Sequence, residues 1–392
     1  MGGVADASIA FVSTYPPTVC GLASFTASLV DAVAVHRGSR RGLGVVGLGD
    51  ARSVPSPDVV YHHRRGDGVS LDKAIRLLNT YDTVSIQHEF GIFSGPDGEE
   101  VIDLMAGLRV PTAVTFHTVL DGPTARQRMI IDHLAGRADR VVVMSETAAG
   151  RLARRYRVDP ERVEVIPHGV DAVFAGPSLV NGGRPLVLTW GLIGPDKGLE
   201  WVVEAFAGLV DLRPQPRYLI AGATHPNVVE AAGESYREGL AALAHGLGLE
   251  DVIEFDNRYL DRASLARMVR SADLVVLPYT SVEQVTSGVL VEALAAAKPV
   301  IATRFPHAVE LLSGGAGVTV PYGDPGAMGV ELRRLLTDRR LAARMGRDAR
   351  DLAHGWFWPT IGGRFGSMMS RLAAPVPSLH RNAVGDVARV AG

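Results

Sequence analysis

Cysteine is almost missing from the chain: Cys20 is the only one in 392 residues. A disulfide framework and a zinc site built on cysteine are both excluded. No apolar run reaches the ~18 residues that a membrane-spanning helix requires. The first residues carry no basic region ahead of an apolar run, so no secretion signal is expected. The expectation is a cytoplasmic protein, at most in peripheral contact with the inner membrane face. Charge of neither sign is in excess: Lys and Arg total 40 against 42 Asp and Glu, a formal net charge of −2. That balance gives no electrostatic footprint for bulk nucleic-acid binding. Solenoid repeats and low-complexity tracts are absent too.

What remains is a soluble globular composition, 47% hydrophobic and 21% charged, in a chain long enough for two domains with separate cores. Short β-branched runs alternate with helical stretches. "SIAFVST", "RGLGVVGLG", "TVSIQHE", "PTAVTFHT", "RVVVMS" and "VEVIPHG" read as strands in the first half, with helices such as "LASFTASLVDAVAVH" and "SETAAGRLARRYR" between them. "LVLTWGL", "RYLIAGA", "VIEFDN" and "DLVVLPY" continue the pattern in the second half. Continuously apolar runs this short suit parallel sheets covered on both faces. The fold class expected is therefore α/β, with two doubly wound Rossmann-like domains facing a cleft. The Gly-, Pro- and Asn-rich stretch "AVFAGPSLVNGGRP" marks the boundary, giving domains over 1–178 and 179–355. "WFWPTIGGRFGSMMSRLAA", residues 356–374, reads as a closing helix, and 375–392 as a pattern-poor tail expected to be mobile.

Ligands of open α/β sheets bind beyond the carboxyl ends of the strands. Gly21, just ahead of a helix in "YPPTVCGLASFT", permits close ligand approach to the backbone. The spacing there is not the dinucleotide GxGxxG fingerprint, which argues against a dehydrogenase. His88, Glu89, His117 and His168 end other strands of the first half. A lone strand-end histidine is usually structural, whereas several converging on one cleft point to function. In "LTWGLIGPDKGLEWVVEAF", Lys197 follows the turn glycines Gly191 and Gly194 at a helix start, where a cation and free N–H groups can hold a phosphate. A second helix start lies at Ser287, Gly288 and Val289, able to take a diphosphate. Glu292, one turn deeper, is placed to accept hydrogen bonds from a vicinal diol such as ribose. Its alternative is a buried ion pair with Lys298 or an arginine. Arg151, Arg154, Arg155 and Arg157 read as a solvated basic face, and adjacent His62 and His63 make a poor metal pair because neighbouring strand residues point oppositely.

Nearly the whole chain, from "YPPTVCGLASFT" to "AGVTVPYGDP", resembles the family 4 retaining glycosyltransferases of the two-domain GT-B architecture. "QHEFGIF", "TFHT", "PHGVD", "GLIGPDKGLE", "GATHP", "NRYL", "EQVTSGVLVEALAAAKPVIAT" and "PHAVELL" are similar, in order and spacing, to a mannosyltransferase-like bacterial and archaeal branch. The resemblance implies sugar transfer from a nucleotide-sugar donor, with a closing helix that crosses back to the first domain. It implies no cofactor, with GDP-mannose favoured over UDP-glucose or UDP-N-acetylglucosamine, and a sugar, lipid-linked or small-molecule hydroxyl as acceptor. Glu292 matches the family's ribose-binding glutamate. The donor-sugar glutamate eight residues earlier is matched by Gln284, with Glu283 one step upstream, and many members have an arginine where this chain has Leu192. Lys197 matches a phosphate cation, His117 a histidine near the donor sugar, and Gly21 a glycine near the donor phosphates. Gly194, Arg258, Tyr259 and Thr286 join Ser287, Gly288 and Val289 on the donor side; His88, Glu89 and His168 fall on the acceptor side. No Asp-x-Asp pair is present, so metal independence is the expectation. The rival readings are a sugar-nucleotide epimerase or hydrolase, a non-catalytic nucleotide-sugar binder, and a Rossmann dehydrogenase.

Overall fold

A computed structural model describes residues 7–49, 56–179 and 183–374. The expected tail over 375–392 lies outside them. Seven strands form the first sheet: β1 (Ile9–Ser13), β2 (Leu43–Leu48), β3 (Val59–His63), β4 (Thr83–His88), β5 (Thr112–Phe116), β6 (Arg140–Val143) and β7 (Val163–Val165). Six form the second: β8 (Leu186–Trp190), β9 (Arg217–Ala221), β10 (Ile253–Asp256), β11 (Leu274–Leu277), β12 (Val300–Thr303) and β13 (Gly317–Val320). The orders are β3-β2-β1-β4-β5-β6-β7 and β10-β9-β8-β11-β12-β13, and every pairing is parallel. Both sheets therefore reverse direction of winding once, between β1 and β4 and between β8 and β11. Those reversals open the crevices where ligands of such sheets sit.

The strands are buried along their length because helices cover both faces; β1, β4, β5, β8 and β11 hold no exposed residue. β3 departs from this pattern. It is an edge strand, partly exposed, with histidines in place of an apolar run. Its His63 is buried against Ser70 and Glu100, and among the described residues no cluster of His, Cys, Asp and Glu is arranged to hold a metal ion. No helix of the described residues is long and apolar enough to cross a membrane.

The closing helix Trp358–Ala373 packs on the first domain, where Trp358, Ile361, Phe365, Met368 and Met369 join the core containing Phe11 and Leu29. Its neighbour is helix Gly21–Arg37, and the approach is close at Gly362, where a β-carbon would lie 2.5 Å from the Ala32 β-carbon. Two chain segments cross between the domains side by side: Val170 N donates to Trp356 O at 2.9 Å, and Trp358 N to Val170 O at 3.1 Å. Ile166 belongs to the first core, whereas Val170 and Phe174 belong to the second. The changeover in packing thus falls between Ile166 and Val170: Val170, ahead of the Gly- and Pro-rich stretch, and Phe174, inside it, both pack in the second core.

Candidate active site

The crevice between β8 and β11 gathers most of the expected donor-side residues. β8 ends at Trp190 and runs into a turn in which Gly191 adopts φ 129° and Gly198 φ 58°. Both conformations favour glycine, and at Gly198 a β-carbon would also lie 2.4 Å from Pro278 O. Lys197 emerges from this turn with its ammonium 4.8 Å from the centre of the Tyr279 ring and 2.6 Å from Asp196 Oδ2. Asp196 O in turn accepts from Thr280 N at 3.0 Å, tying the turn to the segment after β11. Gly191 faces the start of helix Gly288–Ala295, since a β-carbon there would lie 3.8 Å from Val289 Cγ2. Ser287 caps that helix by accepting from Leu290 N at 3.2 Å.

Glu292 lies one turn further, largely buried. Trp190 Nε1 donates to its Oε2 at 3.0 Å, and Arg262 stands 3.7 Å from its Oε1. Burial raises the Glu292 pKa, opposed by Arg262 and the Trp190 hydrogen bond. Of the two structural partners considered for it, Lys298 is elsewhere: its ammonium donates to Ser178 Oγ and Arg270 O. Arg262 is the nearby arginine, and it is held chiefly by Asp171. Arg258 and Tyr259 are exposed on the loop after β10, where Arg258 is forked onto Asp256; the same segment continues to Arg262. Gly194 faces Asp196 and Val228.

On the first domain, His117 Nε2 pairs with the Gln87 amide oxygen at 2.9 Å, and its ring meets Phe25 edge-on at 4.7 Å. Burial, with His168 and His88 nearby, holds its pKa down at about 3. His168 donates from Nδ1 to Gly169 O, which leaves Nε2 as an acceptor; burial lowers its pKa to about 4. A β-carbon on Gly288 would sit 3.0 Å from His168 Nε2, so the His168 ring lies against the helix start of the other domain. His88 is fully buried between Phe90 and Phe116, with neither ring nitrogen hydrogen-bonded. Glu89 accepts from Thr118 Oγ1 at 2.6 Å and from Phe90 N at 3.0 Å. Gly21 is exposed at its helix start, with open space where a β-carbon would be, and Cys20 Sγ accepts from Ala23 N.

Glu283, expected beside the donor sugar, and Arg151, expected on a solvated basic face, are paired with each other across the domain junction. Glu283 Oε2 accepts from Arg151 at 2.6 Å and from Asp121 N at 2.8 Å, so its carboxylate is turned to the first domain. Arg151 is 6% exposed and does not join a solvated basic face; Arg155, further along the same helix, is paired with Asp121. Gln284 directs its amide Nε2 to Thr286 O at 3.2 Å. His307, which sequence reasoning passed over, accepts from Ser287 N through Nδ1 at 2.9 Å and thereby fixes the loop ahead of helix Gly288–Ala295. Its place in "PHAVELL" was the available signal.

A two-domain α/β enzyme with a cation, a helix N-terminus and a buried carboxylate at one switch point is the class that fold and crevice define. The family model of group 1 glycosyl transferases matches residues 174–352, and that of Glycosyltransferase Family 4 matches 30–174. A D-inositol 3-phosphate glycosyltransferase of Corynebacterium efficiens is 30% identical over 317 residues, covering 74% of this chain and 71% of that protein. One from Thermobifida fusca is 31% identical over 313 residues, 74% of this chain and 70% of that protein. Sucrose-phosphate synthase of Thermosynechococcus elongatus superposes with a TM-score of 0.74 at 20% identity, over 93% of this chain and 99% of that one. Anabaena HepE, solved with UDP, gives 0.72 at 18% identity over 93% and 100%. The chain belongs to the group 1 glycosyltransferases. Its two parallel-sheet domains have the GT-B architecture, and the protein is a glycosyltransferase.

Proposed function

We propose that the chain moves a hexosyl group from a nucleotide-sugar donor to a hydroxyl acceptor, with retention at the anomeric carbon and without a metal ion. The observation that carries this reading is the convergence of Lys197, the N–H groups of Gly288 and Val289, and largely buried Glu292 on the β8–β11 crevice. A diphosphate fits the first two, because a cation and a helix N-terminus both favour negative charge. The ribose hydroxyls of the same nucleotide fit the carboxylate.

In the reaction the bond from the anomeric carbon to the diphosphate oxygen breaks, with its electron pair leaving on the diphosphate. A new bond forms from the acceptor oxygen on the same face. The departing oxygen is then the nearest base for the proton of the acceptor hydroxyl. Charge grows on the diphosphate in the transition state, so fixed donors aimed there lower the barrier. Lys197 and the helix start supply them. His117 and His168, held neutral, add no positive charge beside the developing oxocarbenium character of the sugar.

The donor for the first trial is GDP-mannose, with UDP-glucose and UDP-N-acetylglucosamine beside it. The relatives named D-inositol 3-phosphate glycosyltransferases place an inositol phosphate on the acceptor panel, next to sugars and lipid-linked hydroxyls. Nucleoside diphosphate release is measured for each donor with and without acceptor, before and after EDTA. Acceptor-dependent release unaffected by EDTA, with a product of unchanged anomeric configuration by NMR, is the expected result. Release without acceptor would make the protein an epimerase or hydrolase, and tight binding with no turnover would make it a binder.

A further inference from the structure

The segment from Ser281 to Ser287 joins β11 to helix Gly288–Ala295, and the first domain grips it. Arg151, buried on helix Glu146–Arg155, donates from one guanidinium nitrogen to Val119 O at 2.8 Å, Glu283 O at 3.0 Å and Glu283 Oε2 at 2.6 Å. Its other terminal nitrogen lies 3.3 Å from Val282 O. Ser145, which caps the same helix, donates to Val285 O at 2.8 Å, and the Val285 side chain is buried in the first-domain core. From the second domain, His307 N donates to Gln284 O at 3.2 Å and Tyr322 reaches Ser281 O at 3.5 Å. Gln284 is thus held on both sides by neighbours that are bonded across the domain junction.

We propose that Arg151 is a positioning residue for transfer: through Val282 and Glu283 it sets the backbone that presents Gln284 to the donor sugar. This rests on the reading that the 281–287 segment shapes the donor-sugar subsite. Lys197, Gly288, Val289 and Glu292, which would hold the nucleotide, are all on the second domain, and the hydrogen bonds of Arg151 go to Val119, Val282 and Glu283 instead. Loss of the guanidinium fork therefore affects turnover and leaves nucleotide affinity in place. A lysine keeps the charge and loses the fork, so it restores only part of the effect.

The test measures kcat, donor KM and nucleoside diphosphate affinity for wild type, Arg151→Met, Arg151→Lys, Glu283→Gln and the Arg151→Met/Glu283→Gln pair. Backbone amide exchange over 282–287 is followed in parallel. Displacement of reacting groups by ~1 Å can cost on the order of 10²-fold. The expected result is a kcat loss of about 10- to 100-fold in Arg151→Met, a smaller loss in Arg151→Lys, nucleotide affinity within about threefold of wild type, and faster exchange over 282–287. The pair of substitutions lowers kcat no further than the worse single one, because both act through one contact. Unchanged kcat or unchanged exchange in Arg151→Met overturns the proposal, as do additive losses in the pair. If Arg151→Met does not fold, Glu283→Gln decides by the same kcat, affinity and exchange readings. A wild-type protein with no nucleotide-sugar turnover removes the functional reading, and the exchange measurement still decides whether Arg151 orders the 282–287 segment.

Discussion

The Glu310 carboxylate of the second domain caps a first-domain helix: its Oε1 lies 3.0 Å from Glu146 N and its Oε2 2.8 Å from Thr147 N. These are N–H groups that helix geometry leaves without a partner, at the positive end of the helix dipole. A carboxylate there stabilises the helix and joins it to the other domain. Glu310→Ala should lower unfolding free energy by about 1–2 kcal/mol, as for loss of a helix cap. Urea unfolding measures this, and a variant as stable as wild type would show that the contact contributes nothing.

Lys197→Ala should lower kcat by on the order of 10²–10³, the scale of removing one donor aimed at developing charge. Donor binding should change less, because leaving-group charge is greatest in the transition state. Steady-state kinetics with the active donor separate the two. A raised KM with unchanged kcat would make Lys197 a binding residue alone.

The contact between helices Gly21–Arg37 and Trp358–Ala373 has no room at Gly362. Gly362→Leu must push the closing helix away from Ala32, and overpacking of this kind costs about 1–3 kcal/mol. Thermal unfolding should show a lowered midpoint. An unchanged midpoint would mean that the closing helix does not hold the first domain as described.

Buried histidines make stability depend on pH. His88 and His307, 0% and 2% exposed, are held neutral by burial, which lowers both pKa values to about 3. Above the unfolded value near 6.5, neither state carries the protons and neither histidine affects folding. As pH falls below 6.5 the unfolded chain takes up protons that the folded chain refuses, so stability drops by about 1.4 kcal/mol per pH unit for each group. The loss continues towards the folded pKa. In His307→Asn the amide oxygen can still accept from Ser287 N. Urea unfolding between pH 7 and 5 should give that variant a slope smaller by about one proton than wild type. Equal slopes would contradict the burial of a neutral His307.

Strands buried on both faces were legible as apolar runs, so β1, β4, β5, β8 and β11 lie where the sequence indicated. β3, a partly exposed edge strand, carries no such run, and only its His62 and His63 were read as strand residues. The start of helix Gly288–Ala295 was readable from the Ser-Gly pair that begins it, and Lys197 from its glycine turn. The junction was opaque. Arg151 and Glu283 meet across 132 positions, and no local pattern distinguishes a buried arginine from its exposed neighbours Arg154 and Arg155. Val285 reads as part of its own loop, yet it completes the core of the other domain. Such contacts follow from how the two domains meet, which local periodicity does not encode.

The proposed activity requires a nucleotide seated at the β8–β11 crevice with its ribose on Glu292. Isothermal titration of wild type and Glu292→Gln with a nucleoside diphosphate and its 2′,3′-dideoxy counterpart tests it most directly. A charge-assisted hydrogen bond contributes roughly 1.5–3 kcal/mol, so the ribonucleotide should bind the variant about 10- to 100-fold more weakly. The dideoxy ligand, lacking the hydroxyls, should lose far less. Equal losses for the two ligands, or a wild-type protein that binds neither, would contradict the claim.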